Sequence, residues 1–475
     1  SMGIGADQPL GASRVKHTGW HKKVSRIILL AGMNRGWSTD NMSAYEKIRT
    51  WAGRAITYLT DKGKMVMSIE RGAPFVTNLK LDWIDAANKH KTKAQVIQIL
   101  GKNDRVAPLD EHKELMATPN FIFIPLLEGA THANIIDLLI DENEDGNDTG
   151  HELRKNAFHA ALTEPLEDLK NKYGSNNSYL DKIEPTRNTV KHVVFVMHGI
   201  RDHGDWLKNF KIELESKNSG IRAITSEYGY FPMARFLLSY ERDKNVRWFV
   251  DQYTEALALY PNATKFSFIG HSNGTYLLAR ALDKYTAMNF HRVYFAGSVV
   301  HSDYPWDAYI TKTQRVGDFR NDIAIDDWVV AWFPKLYQLI NSKYDPKKDD
   351  FFNLGSGGFD GFTNKSGKKN VKFVTGGHSG ALQKENIPSI IEFITQDKVL
   401  PINNEVGVSE NLKAVSSSAL GTSSNMAWAV WVILLGVIGG IGYLFITATK
   451  GYNRLGTRKA ASVYIVFVLA IIYSY

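Results

Sequence analysis

The stretch KFSFIGHSNGTYLLARALDKY, residues 265–285, decides the fold. Its first five residues form a short apolar run that predicts a buried strand, and TYLLARALDKY has the periodicity of an amphipathic helix. The pentapeptide GHSNG, residues 270–274, places Ser272 on the turn between strand and helix. Gly270 and Gly274 suit this turn because larger side chains beside the serine would clash. We expect Ser272 at the carboxyl edge of a sheet, where the helix N-terminus favours developing negative charge.

Further apolar runs on both sides of this segment alternate with helical patterns. Strands are predicted at residues 192–197, 223–226, 265–269, 293–297, 315–320 and 371–374. A shorter series at residues 24–32, 95–100 and 121–126 repeats the last three of these runs. Strands separated by helices are typical of a parallel sheet with crossover connections. The sequence therefore predicts two α/β domains in tandem, with mostly parallel sheets covered by helices on both faces and an incomplete first copy.

A histidine and several carboxylates that could serve Ser272 follow it along the chain. His378 lies in the glycine-rich turn GGHSG after the run VKFVT, so its imidazole has the freedom to reach over the sheet edge. The segment RVGDFRNDIAIDDWVV supplies the candidate acids, with one more in the preceding turn: Asp318, Asp322, Asp326, Asp327 and Asp303. The acid's task is to hold the imidazole in one tautomer and to stabilise the imidazolium.

Over residues 188–398 these motifs resemble the α/β-hydrolase superfamily, specifically its serine esterases and lipases. GHSNG in its strand-turn-helix context is similar to the nucleophile elbow of that family. The pattern N-x5-D-W-V resembles the family's acid turn and favours Asp327. The resemblance implies an α/β-hydrolase fold and a catalytic triad of Ser272, Asp327 and His378, with no cofactor required.

The strand HVVFVMHGIRDHGDW resembles the oxyanion strand of the same family. This likeness implies that the N–H of Ile200 or Arg201, together with that of Asn273, holds the oxyanion. Backbone donors arranged in this way are typically worth about 3 kcal/mol each in the transition state.

The first copy carries similar turns without the strands that would complete it. GKNDRVAP, residues 101–108, resembles the acid turn at Asp104, and GATH resembles the histidine turn at His132. Ser1 precedes Met2 and Gly3, so it could be the nucleophile of an elbow that begins upstream, or a non-native residue before an initiating Met2. We expect Asp104 and His132 to be a non-functional pair in this chain.

Residues 141–152, DENEDGNDTGHE, match the spacing of a calcium-binding loop. Carboxylate and amide oxygens at Asp141, Asn143, Asp145 and Glu152 are hard ligands of the kind that calcium prefers. Against this reading, Asp148 stands where such loops usually carry an apolar residue, and the sequence has no second loop of this type. The alternative, which is commoner, is an acidic loop between domains.

The C-terminus has the pattern of membrane-spanning helices. Residues 426–448 are 23 residues without a charge, which as a helix would extend about 34 Å, enough to cross a bilayer. A second apolar run at 460–475 would complete a transmembrane hairpin. The loop between the runs carries four basic residues, whereas Lys413 is the only lysine or arginine in the twenty residues before the first run. Positive charge stays in the cytoplasm, so the hydrolase domains are expected on the non-cytoplasmic side.

The domain boundaries follow from these motifs. We expect a partial hydrolase domain at 1–140, an acidic loop and helical linker at 141–187, and a complete hydrolase domain at 188–398. A Ser/Asn/Gly-rich linker at 399–425 then precedes the membrane region at 426–475.

Composition narrows the function further. Cysteine is absent, which excludes disulfides and cysteine nucleophiles in this sequence. The net charge of +8 comes without a long basic block in the soluble part, so nucleic acid is not an expected partner. The leading interpretation is a membrane-anchored serine hydrolase acting on an ester or lipid. The alternatives are a catalytically idle hydrolase fold that serves as an interaction module at a membrane, and a phospholipase effector that disrupts membranes.

Overall fold

The computed structural model describes residues 23–33, 35–37, 68–90, 94–107, 120–126, 129–138, 149–173, 188–200, 205–225, 236, 239–348, 353–396, 405–451, 461–462 and 464. The chain forms two compact units. The first consists of Ser1–Thr189, Val250–Asn262 and Tyr285–Ala287. The second consists of Val190–Phe249, Ala263–Lys284 and Met288–Tyr475.

The first unit contains a three-stranded parallel sheet. Its elements in chain order are β1 (Arg26–Leu30), α1 (Pro74–His90), β2 (Gln95–Gly101), β3 (Phe121–Leu126), α2 (Thr149–Thr163) and α3 (Leu166–Tyr173). The strands lie side by side in the order β1-β2-β3. Alternate side chains such as Ile97, Ile99 and Ile122 pack against Ala157 and Ala160 of α2, so a helix covers one face of the sheet.

The second unit contains a six-stranded parallel sheet. Its first half has β4 (His192–Met197), α4 (Asp205–Lys217), β5 (Ile221–Ile224), the first part of α5 (Ser239–Leu259, up to Phe249), β6 (Lys265–His271) and α6 (Asn273–Lys284). The second half has β7 (Phe290–Ala296), β8 (Val316–Ala324), α7 (Trp328–Ile340), β9 (Val371–Val374) and α8 (Ile387–Thr395). The strand order is β5-β4-β6-β7-β8-β9, with every neighbouring pair parallel. The expected α/β architecture with parallel sheets and helices is confirmed.

The central strands are rich in apolar residues because both faces of the sheet are covered. On one face Val194 and Val196 join a core with Phe210 of α4 and Ile390 of α8. On the other face aromatic rings interlock. Phe249 of α5 lies edge-on to Phe195 and Phe268, with ring centroids 5.7 and 5.1 Å apart.

The two sheets share an arrangement that the repeated sequence indicated. In each, three consecutive parallel strands lie side by side in chain order, β1-β2-β3 in the first unit and β7-β8-β9 in the second. The strands begin and end a few residues from the predicted bounds. The largest difference is β8, which continues to Ala324, because the polar side chains of Arg320, Asn321 and Asp322 are buried inside the strand.

The glycine-rich segment at residues 347–370, whose composition predicts an exposed loop, is buried over residues 353–359. The amides of Gly355, Gly357 and Gly358 donate to the carbonyls of Val299, Val300 and Ser298 at 2.8–2.9 Å. A Cβ on Gly358 would lie 2.1 Å from the Ser298 nitrogen. The glycines are therefore there for close backbone approach, which is a second use of glycine besides flexible loops.

The stretch at 399–425, predicted as a linker from its composition, is mostly helical. Helices α9 (Glu405–Ser417) and α10 (Ala419–Ser424) occupy this stretch. Val408 is fully buried in a cluster with Ile323 of β8 and Val371 of β9. The few apolar residues of α9 are spaced so that they meet the sheet, and a composition-based prediction overlooks that spacing.

Helix α11 (Ala427–Gly451) follows at once. Among the described residues its segment Ala427–Ala448 is the one helix long and apolar enough to cross a membrane, and it is almost wholly exposed. From the second apolar run, Tyr464 donates a hydrogen bond to the carbonyl of Ile438 and lies against Gly442. Most of the predicted second span lies outside the described residues.

Candidate active site

The turn between β6 and α6 holds Ser272 in a strained conformation. Its φ is +52°, in the left-handed region that non-glycine residues rarely adopt. The Ser272 amide donates to the carbonyl of Ala296 at the end of β7, at 3.0 Å. Its carbonyl accepts from the Thr275 amide at 2.9 Å and from the Thr275 hydroxyl at 2.7 Å. Hydrogen bonds to both the amide and the carbonyl of Ser272 therefore hold the turn in place. Backbone strain of this kind is concentrated at functional sites.

The glycines of the pentapeptide meet close neighbours, as the sequence predicted. A Cβ on Gly270 would lie 2.6 Å from the ring of Phe268 and 3.1 Å from the carbonyl carbon of Gly274. A Cβ on Gly274 would lie 2.6 Å from the carbonyl oxygen of Met197 on β4. Any side chain at either position would push α6 away from the sheet.

Asp327 and His378 form a hydrogen-bonded pair at the carboxyl ends of β8 and β9. The Asp327 Oδ2 lies 2.9 Å from Nδ1 of His378. Its Oδ1 accepts the Val330 amide at 3.0 Å, so the same carboxylate caps the N-terminus of α7. Asp327 is fully buried, whereas the His378 side chain is 19% exposed. This arrangement can fix the imidazole with its proton on Nδ1 and Nε2 available as a base.

The other candidate acids are engaged elsewhere. Asp322 is buried in a two-pronged ion pair with Arg320 at 2.7 Å and accepts the Tyr294 hydroxyl at 3.1 Å. The burial of Tyr294, beside the Asp322 carboxylate, raises its pKa well above the usual range. Asp318 contacts Arg292 and the Asn370 amide.

The remaining two carboxylates lie at the surface. Asp326 is exposed. Asp303 is also exposed and accepts the Thr363 hydroxyl. Of the five candidates, Asp327 is the one that the structure places against His378.

Gly297 packs directly against the His378 ring, a role that the sequence did not indicate. Gly297, directly after β7, has φ +52°, and a Cβ there would lie 2.9 Å from Cε1 and 3.0 Å from Nδ1 of His378. His271, the residue before Ser272, faces the same ring with centroids 4.8 Å apart, and its Nε2 lies 3.2 Å from the His378 carbonyl. The histidine turn and the serine turn are thus in direct contact. Among the described residues the Ser272 hydroxyl has no hydrogen-bond partner.

His198 and Gly199, directly after β4, lie over Ser272. A Cβ on Gly199 would be 2.6 Å from Cβ and 3.1 Å from Oγ of Ser272. The next residue, Ile200, starts a turn, and Asn273 is the first residue of α6. The N–H groups of Ile200 and Asn273 therefore belong to the two segments that meet at Ser272. Arg201, the other predicted oxyanion donor, lies outside the described residues.

The first unit holds a second acid–histidine pair of the same design. Asp104, three residues after the end of β2, places Oδ2 3.0 Å from Nδ1 of His132. Its Oδ1 accepts the amides of Val106 and Ala107, both at 2.8 Å. The pair lines an open cavity of about 750 Å³. Ser1, the predicted partner of this pair, lies outside the described residues.

The predicted calcium loop is described only at its end. Glu152 lies in the first turn of α2, while Asp141, Asn143 and Asp145 are outside the described residues. Within the described part of the chain, no group of three or more His, Asp or Glu side chains could hold a metal ion.

The chain matches no protein-family model, no curated protein and no solved structure. The geometry of the site is therefore the basis on which a function can be proposed.

Proposed function

We propose that the second unit is a serine hydrolase of the α/β-hydrolase fold that cleaves carboxylic or lipid esters. The observation that supports this most is the strained Ser272 at the β6–α6 turn, in contact through its neighbour His271 with the histidine turn. The buried Asp327 orients His378 from the far side. A nucleophile, a base and an orienting acid on adjacent strand ends form the constellation that acyl transfer needs.

In the proposed mechanism the Ser272 Oγ attacks the ester carbonyl while Nε2 of His378 accepts its proton. The charged imidazolium is stabilised by Asp327, which remains ionised. The tetrahedral oxygen receives hydrogen bonds from the N–H groups of Asn273 and Ile200, aided by the N-terminus of α6. The imidazolium then protonates the leaving alcohol, which gives an acyl-enzyme on Ser272. Water, deprotonated by His378, attacks the acyl group and releases the acid.

We further propose that α11 anchors the hydrolase in a membrane, with the hydrolase units on the non-cytoplasmic side. The support is a helix of spanning length and composition whose surface is exposed along almost all of its length. The basic loop after it favours a cytoplasmic position for that loop. An idle fold that binds partners at a membrane is the alternative function. A second alternative is a phospholipase effector, which differs from the proposed membrane-anchored esterase in acting on phospholipids.

Labelling with a fluorophosphonate probe tests the nucleophile. The wild-type chain should be modified at one serine, identified by peptide mapping as Ser272. Ser272→Ala should lose the label and lower kcat at least about 10³-fold. Ser379→Ala is the matched control, because Ser379 is exposed and adjacent to His378. Labelling that persists on another serine, or a wild type that is not labelled, would refute the assignment.

A further inference from the structure

The outer face of α7 is apolar from end to end. Trp328 at its start is 48% exposed, and Leu339 and Ile340 at its end are 42% and 55% exposed. Half-buried apolar side chains lie between them: Val329, Trp332, Phe333 and Leu336. The charged residue of this helix, Lys335, is buried and pairs with Asp360. A surface helix normally carries polar side chains on its outer face, so this face is built to meet something other than water.

The same face is continuous with the beginning of α11. The Trp332 indole donates to the hydroxyl of Ser423 at 3.2 Å, and Ser423 lies four residues before the start of α11. The Phe333 ring lies edge-on to Trp431 in the second turn of α11, with centroids 5.4 Å apart. The ring centroids of Trp328 and Trp332 are 5.9 Å apart. Tryptophans gathered at the end of an apolar spanning helix are typical of the interface between hydrocarbon and lipid headgroups.

Helix α7 also begins at the catalytic acid. Asp327 caps the helix and holds His378, and Trp328 is the next residue. A surface in contact with the outer face of α7 would therefore lie one residue from the proposed triad.

We propose that the outer face of α7 is a lipid-docking surface. It lies in the interfacial region of the bilayer that α11 crosses and places the carboxyl edge of the six-stranded sheet at the membrane. The occupant is a bilayer because the apolar face joins the proposed membrane span through Trp332 and Phe333. The substrate class follows, namely acyl esters that reside in the membrane. This second part rests on the serine hydrolase proposed above.

The docking surface can be tested without an activity assay. The chain has no cysteine, so Ile340→Cys gives one site for a nitroxide label on the full chain. Ile212→Cys is the matched control, because Ile212 is an isoleucine of α4 that is 66% exposed. In phosphatidylcholine vesicles, the label at 340 should collide with oxygen more than with an aqueous nickel chelate, and the label at 212 should show the opposite preference. Aqueous behaviour at both sites would overturn the proposal. Dipolar broadening between labels at 340 would also overturn it, in favour of a second copy.

The substrate class is tested by a ratio of two activities. We would measure hydrolysis of a long-chain ester embedded in phosphatidylcholine vesicles against that of a soluble short-chain ester. Ile340→Glu should lower this ratio at least about tenfold, because an apolar contact with lipid is replaced by a charge. Ile212→Glu should leave the ratio unchanged.

An unchanged ratio in Ile340→Glu, with both esters hydrolysed, would overturn the inferred substrate class alone. If the wild type hydrolyses neither ester and is not labelled by the fluorophosphonate probe, the proposed serine hydrolase activity is overturned. The nitroxide measurement would still decide the docking surface in that case.

Discussion

Replacing Asp327 by Asn isolates the orienting role of the acid from its structural role. The amide oxygen of Asn can still accept the Val330 amide, as Oδ1 does at 3.0 Å, and Asn is as good an N-cap as Asp. The amide nitrogen then replaces the oxygen that lies 2.9 Å from Nδ1 of His378. This nitrogen can only donate, so Nδ1 must accept and the proton moves to Nε2. In the proposed mechanism, the nitrogen that has to accept the Ser272 proton is then already protonated.

The expected loss in kcat is about 10⁴-fold, which corresponds to about 5 kcal/mol of transition-state stabilisation. Steady-state hydrolysis of a short-chain ester measures it, and a thermal unfolding curve checks that the α7 cap is kept. Asp104→Asn is the matched control, since it makes the same change in the dyad of the first unit, and its activity should remain close to wild type. A loss below tenfold in Asp327→Asn would refute the reasoning. Wild-type behaviour of Asp327→Asn together with an inactive but folded Asp322→Asn would move the acid to Asp322.

Gly199→Ala should abolish activity without unfolding the chain, because its Cβ would lie 2.6 Å from the Cβ of Ser272. Gly436→Ala is the control and should leave activity unchanged, because nothing lies within 4 Å of a Cβ there. Near-normal turnover in Gly199→Ala would contradict this packing. Burial lowers the pKa of His301 below its usual 6.5, so the unfolded chain takes up this proton at higher pH and the stability is lost as pH falls through and below that value. Thermal midpoints of His301→Gln should therefore fall less between pH 7 and pH 5 than those of wild type, and equal slopes would count against it. Calorimetry should detect weak calcium binding that Glu152→Gln removes. If calcium gives no heat of binding with the wild type, residues 141–152 are an acidic linker. Protease added to intact cells should digest the hydrolase units, and protection until lysis would place them in the cytoplasm.

The sequence predicted the parallel sheet, and it predicted the pairing of His378 with Asp327 as a candidate. These follow from local signals, since apolar runs of strand length and glycines beside a serine or a histidine have direct steric meaning. Spacing alone left five carboxylates as candidates, and only the resemblance to the acid turn favoured Asp327. Their roles depend on which cation or amide each carboxylate meets across the sheet, and that is a property of the folded chain.

Other features depended on contacts between distant segments. Gly297 is one glycine among 38 in the sequence, and its role beneath the His378 ring appears only when β7 and β9 are placed in the same sheet. Gly355 and Gly358 carry no signal of burial in the sequence, because glycine is also common in exposed loops. Their actual reason is that two backbones approach too closely for any side chain. The helices at 405–424 were overlooked because polar composition conceals a few well-spaced apolar residues.

The acids of the two dyads share a second task that is independent of chemistry. Asp327 completes the first turn of α7, and Asp104 closes the turn at Val106 and Ala107. Each carboxylate would therefore be favoured by folding stability even if no substrate were ever cleaved. An acid–histidine pair built in this way can stay well formed without a nucleophile opposite it. For proteins of this architecture, a well-formed acid–histidine pair at the sheet edge is therefore a weak sign of catalysis, and a strained turn that holds a serine is the stronger one.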